Sequence, residues 1–365
     1  MHVARTSDLA GQVKSLAPFC GWLPVMTTRD APSGAGGPQH AVEDPGRHLP
    51  YPSGWFCLAR SRELAPGNVL TRRFMGEDVV LYRTRDGRAR AVHPYCPHLG
   101  AHLGAGGTVE GQYLVCPFHR FAFAPDGTCA STPHGPPPRA RLQHHAVSER
   151  NGFLFAWNEP DGAPPTWEVP GTLQAGVVPT AAWSTDVRTH PQEIIENTLD
   201  YRHLPVLHHV AVRELEPPTV QGALLRMRLR LGPDRPAALR RRIQADHSFL
   251  MAGLGHLRVE LPLPRLGLVS YLWAMHTPTG PRHTRMLVAT ACADLHAPDA
   301  AAAPLPRRGL HRAFAHAMLR TAVGKVRQDL RIWNTKRYEP QPRLAANDEA
   351  IGLFRHWARQ FYPPP

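Results

Sequence analysis

Apolar residues along this chain fall mostly into short runs rather than long helical stripes. Val79-Val80-Leu81-Tyr82, Tyr113-Leu114-Val115-Cys116 and Phe153-Leu154-Phe155-Ala156-Trp157 are such runs. Turn signals such as Arg85-Asp86-Gly87 and Pro125-Asp126-Gly127 separate them. Runs of this length, bounded by Gly, Pro or Asp, predict strands. Residues 51–160 are therefore expected to form a small β-rich unit, ending in a linker at Glu159 to Pro165. The texture then changes. Residues 192–204 predict a helix stopped by Pro205, strand-like runs lie at about 222–231, 245–252, 267–276 and 285–294, and a long helical pattern covers about 309–335. Strands followed by a long terminal helix predict an α+β fold, with a second domain at 166–365. Residues 1–50, rich in Pro, Gly, His and Ala towards their end, read as an irregular N-terminal extension.

Composition narrows the function classes. The 365 residues are 42% apolar and 19% charged, enough for a sizeable core in about two domains. No stretch reaches the roughly 18 apolar residues of a membrane-spanning helix. No signal peptide is recognisable, which predicts a cytoplasmic protein with reduced thiols. The net charge of +13 comes almost wholly from arginine, since Lys14, Lys325 and Lys336 are the only lysines. The basic residues are dispersed apart from Arg240 to Arg242, and no nucleic-acid module is visible. An acidic protein partner suits this surface better.

Two groups of residues carry chemistry. The first is Cys96-Pro97-His98, followed by Cys116-Pro117-Phe118-His119, with Gly100, Gly104, Gly106 and Gly107 between them. Two thiolates and two imidazoles suit zinc or a [2Fe–2S] cluster. Zinc fingers usually supply a cysteine pair and then a histidine pair; here each pair is mixed. The mixed order lets two loops give two thiolates to one iron and two imidazoles to the other, which is the Rieske arrangement. His93, His102 and His134 lie nearby but outside the pattern.

The second group is Asn197, Asp200, His203 and His208. Asp200 and His203 share a helical face. His208, five residues on, would point elsewhere on an unbroken helix, and Pro205 is expected to break the helix and let it return. Two histidines and a distant carboxylate make the facial triad of non-haem Fe(II) enzymes. Asp329 is the candidate carboxylate, because it shares an apolar stripe with Ala322, Val326 and Trp333. A carboxylate there is costly unless paired or metal-bound. The alternatives are a salt bridge from Asp329 to Arg202, and His209 in place of His208.

Together these motifs resemble the Rieske non-haem iron oxygenases over about residues 51–362. The motif Glu196-Asn197 with Asp200, His203 and His208 is similar to the family's iron motif. Gly54-Trp55-Phe56, Asp329-x-x-Ile332-Trp333-x-x-Lys336 and Arg355-x-Trp357-x-x-Gln360-Phe361-Tyr362 resemble the branch of 3-ketosteroid 9α-hydroxylases and cholesterol 7-desaturases. Phe121 departs from the tryptophan of many members. The animal members' membrane helix has no counterpart.

The resemblance implies a Rieske domain, a helix-grip catalytic domain and a homotrimer in which one subunit's cluster faces the next subunit's iron. It implies that Asp200 bridges the two centres. The implied reaction uses O₂ and electrons from a separate ferredoxin or flavin reductase to oxidise an unactivated C–H bond of a bulky hydrophobic substrate, by hydroxylation or desaturation. Oxidative cyclisation or demethylation in a secondary-metabolite pathway is the alternative, and a pure electron carrier the non-enzyme one. Gly104-Ala105-Gly106-Gly107 lacks the context of a dinucleotide site, so no flavin or nicotinamide is expected. Phe249, Met251, Tyr271, Trp273 and Met275 are the expected pocket lining.

Overall fold

The computed structural model describes residues 49–234, 244–297, 299 and 305–363. Most of the expected N-terminal extension and the Arg240–Arg242 run lie outside them.

The β-rich first part has eleven described strands: β1 (Gly54–Arg60), β2 (Val69–Phe74), β3 (Glu77–Arg83), β4 (Ala89–Val92), β5 (Thr108–Glu110), β6 (Tyr113–Val115), β7 (Ala122–Phe123), β8 (Cys129–Ser131), β9 (His144–His145), β10 (Val147–Arg150) and β11 (Phe153–Asn158). They form three antiparallel sheets, ordered β1-β11-β10, β2-β3-β4-β9 and β5-β6-β7-β8. The apolar runs are the buried strands. Val80, Tyr82, Leu114 and Phe123 fill one core, and Phe56, Leu81 and Leu154 another. The loops after β4 and β6 carry the two Cys/His pairs.

The second part is a seven-stranded antiparallel sheet. Its strands are β12 (Ala181–Val187), β13 (Val210–Gln221), β14 (Leu224–Pro233), β15 (Ala245–Ala252), β16 (His256–Leu263), β17 (Leu268–Gly280) and β18 (His283–Asp294). They meander from β13 to β18, and β12 pairs with β18 at the far edge. The four expected strand runs correspond to β14, β15, β17 and β18. β13 escaped notice because Pro217 and Pro218 interrupt its pattern. As an edge strand with two register shifts it tolerates them.

The described α-helices of this part are α1 (Pro191–Leu199), α2 (His203–His208), α3 (Leu305–Trp333) and α4 (Glu349–Ala358). Pro191 at the first turn of α1 presets its φ, and His190 Nδ1 accepts from Gln192 N at 3.2 Å as the cap. One face of the sheet, with Leu225, Met227, Met251, Leu257, Ala274 and Val288, packs with α1 and α4 residues such as Ile195 and Phe354. The opposite face, with Tyr271, Trp273, Met275 and Ala289, packs against Trp55, Phe153, Phe155 and Trp157 of the first part. Thr277 Oγ1 donates to the Cys57 carbonyl across this join at 2.6 Å.

This division corrects the expected pocket. Side chains alternate across a strand, so Phe249 and Met251 fall on the helix-covered face while Tyr271, Trp273 and Met275 fall on the other. The latter three are core residues, each at most 1% exposed. A second correction concerns Pro205. The chain breaks at 200–202, and Pro205 sits in the first turn of α2, where its missing N–H costs nothing.

Candidate metal centres

The two Cys/His loops repeat one backbone plan. Cys96 N donates to Ala101 O and Gly100 N to Cys96 O, both at 2.9 Å. Cys116 N donates to Phe121 O at 2.9 Å and Arg120 N to Cys116 O at 3.1 Å. Gly100 and Arg120, each four residues after its cysteine, both have positive φ, +74° and +55°. The plan folds each loop back and points both of its ligand-type side chains the same way. Both cysteines are buried, and the rings of His98 and His119 lie 4.8 Å apart. Burial, with a smaller contribution from Cys116 beside it, pushes the Cys96 thiol up to about 11. A metal that binds thiolate would have to displace those protons. The donor set, two adjacent buried sulfurs and two adjacent imidazoles nearer solvent, fits a [2Fe–2S] cluster with mixed ligation.

The neighbours are arranged around this tip. Phe121 stacks on His98 at 4.3 Å, with planes 9° apart. His102 turns away to Asp78 at 3.3 Å, His93 stacks on His145, and His134 is exposed. Tyr95, Leu99 and Phe118 form an exposed apolar rim.

The second centre is assembled from α2 and α3. The ligand-type atoms of His203, His208 and Asp329 all lie within 4.8 Å of one another. His208 Nε2 is 3.1 Å from Asp329 Oδ1, and His203 Nε2 is 4.0 Å from it. Asp329 is 6% exposed, and the His208 side chain is 1% exposed. Burial raises the Asp329 carboxyl, and His208, His203 and Asn197 pull it back. Two imidazole nitrogens converging on a buried carboxylate fit an Fe(II) facial triad. His209 caps α2 in a left-handed conformation, outside the triad. Arg202 pairs with Asp348 and the Asn347 carbonyl rather than with Asp329.

Each imidazole is held from behind. His203 Nδ1 donates to the Asp200 main-chain carbonyl. His208 Nδ1 donates to Gln328 Oε1 at 2.6 Å. An oxygen that only accepts keeps the proton on Nδ1 and leaves the Nε2 lone pair facing Asp329. The Asp200 carboxylate itself stands 3.9 Å from His203 Nδ1. Gln328 was not anticipated, although its position beside Asp329 on α3 was a signal. Asn197 Nδ2 donates to His203 Nε2 at 3.3 Å and also hydrogen-bonds Asp329. Glu196, the neighbour of Asn197, is gripped by Arg355 through two bonds of 2.6 and 3.0 Å, tying α1 to α4.

Residues 54–146 match the family model of the Rieske [2Fe-2S] domain, and residues 156–362 match that of the 3-ketosteroid 9alpha-hydroxylase C-terminal domain. The chain belongs to the Rieske oxygenases. This Rieske oxygenase is 31% identical over 335 residues to cholesterol 7-desaturase of Bombyx mori, covering 86% of this chain and 70% of that one. It is 30% identical over 348 residues to the Xenopus laevis cholesterol 7-desaturase, covering 86% and 72%. Among solved structures, Pseudomonas putida NdmA with caffeine aligns with a TM-score of 0.63 at 17% identity, covering 84% of this chain and 89% of that one. As a Rieske oxygenase it is an oxidoreductase with a Rieske cluster and a non-haem iron, and it uses O₂, a hydrophobic substrate and a separate electron-transfer partner. No helix among the described residues is long and apolar enough to cross a membrane.

Proposed function

We propose that this Rieske oxygenase oxidises an unactivated C–H bond of a steroid-like substrate, by hydroxylation or desaturation. Cys96, His98, Cys116 and His119 hold the [2Fe–2S] cluster. His203, His208 and Asp329 hold the mononuclear iron. The observation that carries the reading is the convergence within 4.8 Å of His203 and His208 on one helix with Asp329 on another helix far downstream in sequence, a site that an electron carrier has no use for. When bound, the two metal centres supply one-electron transfer and O₂ activation. The protein's own residues do the rest. Asp200 and Gln328 orient the two imidazoles from behind. Asn197 holds a donor beside His203 and Asp329. Phe249, Val259 and Leu272 present an apolar wall to a bulky substrate.

The steroid class rests on the named activity of the cholesterol 7-desaturases that the chain resembles. The donor is an acidic ferredoxin or a flavin reductase drawn to the +13 chain. The working unit is a cytoplasmic homotrimer. In it the Asp200 carboxylate, 3.9 Å from His203 Nδ1, also meets His98 or His119 of a neighbouring subunit. The domain limits are set at 51–160 and 166–365; the two matched segments run over 54–146 and 156–362.

The test separates the centres. Cys96→Ser should abolish the cluster's visible absorbance. His203→Ala should keep that absorbance and lose the mononuclear iron and all turnover of cholesterol or a 3-ketosteroid. Equal loss of both metals in both variants would defeat the assignment.

A further inference from the structure

The sheet face turned away from the β-rich part is crossed by α3, which packs Leu319, Ala322, Val326 and Leu330 inward and turns its other side to solvent. Its 29 residues include six arginines and Lys325 but a single acid, Asp329, which is buried. At about 100° per residue, the exposed Arg312, His316, Arg320, Arg327 and Arg331 fall within one sector of about 100°. Cations that look scattered along the sequence thus form one stripe, about 28 Å long at 1.5 Å per residue. Leu310 and Ile332 are exposed on the flank of this stripe, within about 40° of each other.

Folding does not account for the stripe. Arg327 and Arg331 are a like-charge pair four residues apart, and the first turn holds Arg307 and Arg308 with no acid; both arrangements oppose the helix. Among the described residues no ion pair or hydrogen bond engages the guanidinium groups of Arg312, Arg320, Arg327 or Arg331. The exposed Arg73, Arg120 and Arg141 of the first part, by contrast, each face an acid: Asp78, Glu110 and Asp126.

Such a surface suits an anionic partner. The electron donor has to reach the exposed His98–His119 edge, which belongs to the part on the opposite face of the sheet. A lipid surface offers dense phosphate to the arginines and a headgroup boundary to the exposed leucine and isoleucine. It is also where a steroid-like molecule dissolves. The choice of lipid over protein rests on the substrate reading above; the stripe itself does not.

We propose that α3 docks the enzyme onto an anionic lipid surface through Arg312, Arg320, Arg327 and Arg331, with Leu310 and Ile332 at the headgroup boundary.

In the experiment the metal-loaded full chain is sedimented with phosphatidylcholine vesicles that contain or lack about 30% phosphatidylglycerol. Wild type should bind the anionic vesicles and not the neutral ones, and should release them in about 0.5 M salt. Arg312→Gln/Arg320→Gln, well away from the iron ligands, should weaken partitioning about 25-fold, at about fivefold per cation near the surface. Arg312→Lys/Arg320→Lys should bind as wild type, because a lipid surface reads charge rather than a guanidinium fork. Arg62→Gln/Arg139→Gln removes the same charge from the first part and should also bind as wild type. Cluster absorbance, unchanged throughout, reports that each variant is folded. No preference of wild type for anionic vesicles, undiminished partitioning of Arg312→Gln/Arg320→Gln, failure of the lysine variant, or an equal loss in Arg62→Gln/Arg139→Gln would each overturn the docking face. So would loss of binding to an acidic [2Fe–2S] ferredoxin in Arg312→Gln/Arg320→Gln with vesicle binding intact, which would assign the stripe to a protein. Vesicle binding is read without turnover, so an error in the substrate class appears separately, as absent turnover of cholesterol or a 3-ketosteroid.

Discussion

Cys96, His98, Cys116 and His119 sit on two loops of the same design, each closed by hydrogen bonds within six residues. His203, His208 and Asp329 sit on two helices separated by most of the catalytic sheet in sequence. The loop site is local: each hairpin end positions its own Cys and His. The helix site is global: the six strands between α2 and α3 in sequence must be placed for the two helices to meet. Their exposure differs in the same sense. His98 is exposed at an apolar rim, whereas Asp329 and His208 are buried. A centre that exchanges electrons with partners needs an exposed edge, and one that holds an iron and an apolar substrate needs to exclude water. The two regions should therefore respond differently to damage.

The largest effect is expected where the two meet. Asp200 orients His203 through its main-chain carbonyl, which a side-chain substitution leaves in place. Its carboxylate is raised by burial, and Asp348 and Glu196 add to that effect. Asp200→Asn should leave both metals loaded and the cluster reducible by its donor, while reoxidation of the pre-reduced cluster by substrate and O₂ slows by orders of magnitude. Single-turnover absorbance measures it. A wild-type rate would show that the carboxylate is not the bridge.

The same contrast explains what could be read from sequence. That the two Cys/His pairs come together was legible, because mixed pairs with intervening glycines are a local signal. Asp329 was legible only as a charge out of place on an apolar stripe. Gln328 was missed although it is the one glutamine of α3 and stands beside Asp329, because the sequence does not say that its side chain meets His208. Pro205 misled for a related reason: a proline reads as a break, yet in the first turn of a short helix it is harmless. The pocket misfired because β17 is buried on both faces. Tyr271, Trp273 and Met275 look like a ligand lining when only the apolar pattern is known. Which sheet face meets the β-rich part is a tertiary fact.

Gln328 sharpens the comparison with a smaller effect. The helix site depends on an outer hydrogen bond that holds His208 in one tautomer, and loss of such a partner typically weakens metal affinity by about 10–100-fold. Gln328→Leu should weaken Fe(II) binding in that range, measured by chelator competition, with cluster absorbance unchanged. Gln328→Glu, which keeps an acceptor, should restore it. Unchanged affinity in the leucine variant would mean that α2 alone orients the ring.

The smallest effect belongs to the loop site. Phe121 covers one face of His98 at 4.3 Å, and His98 is otherwise exposed. The ring makes no hydrogen bond, so its influence is limited to excluding water and holding the imidazole plane. Reduction adds one negative charge to the centre, and water stabilises the more charged state. Phe121→Ala should therefore raise the reduction potential, by less than about 59 mV, which is one decade for a one-electron couple. Phe121→Trp keeps a stacked aromatic surface and should leave the potential near the wild-type value. Mononuclear iron content should not change in either variant, because Phe121 lies in the loop-site core with Leu103 and Cys116, apart from the α2–α3 site. Redox titration followed by visible absorbance reads the shift. A lower potential in the alanine variant would mean that Phe121 acts through ring orientation rather than through shielding from water.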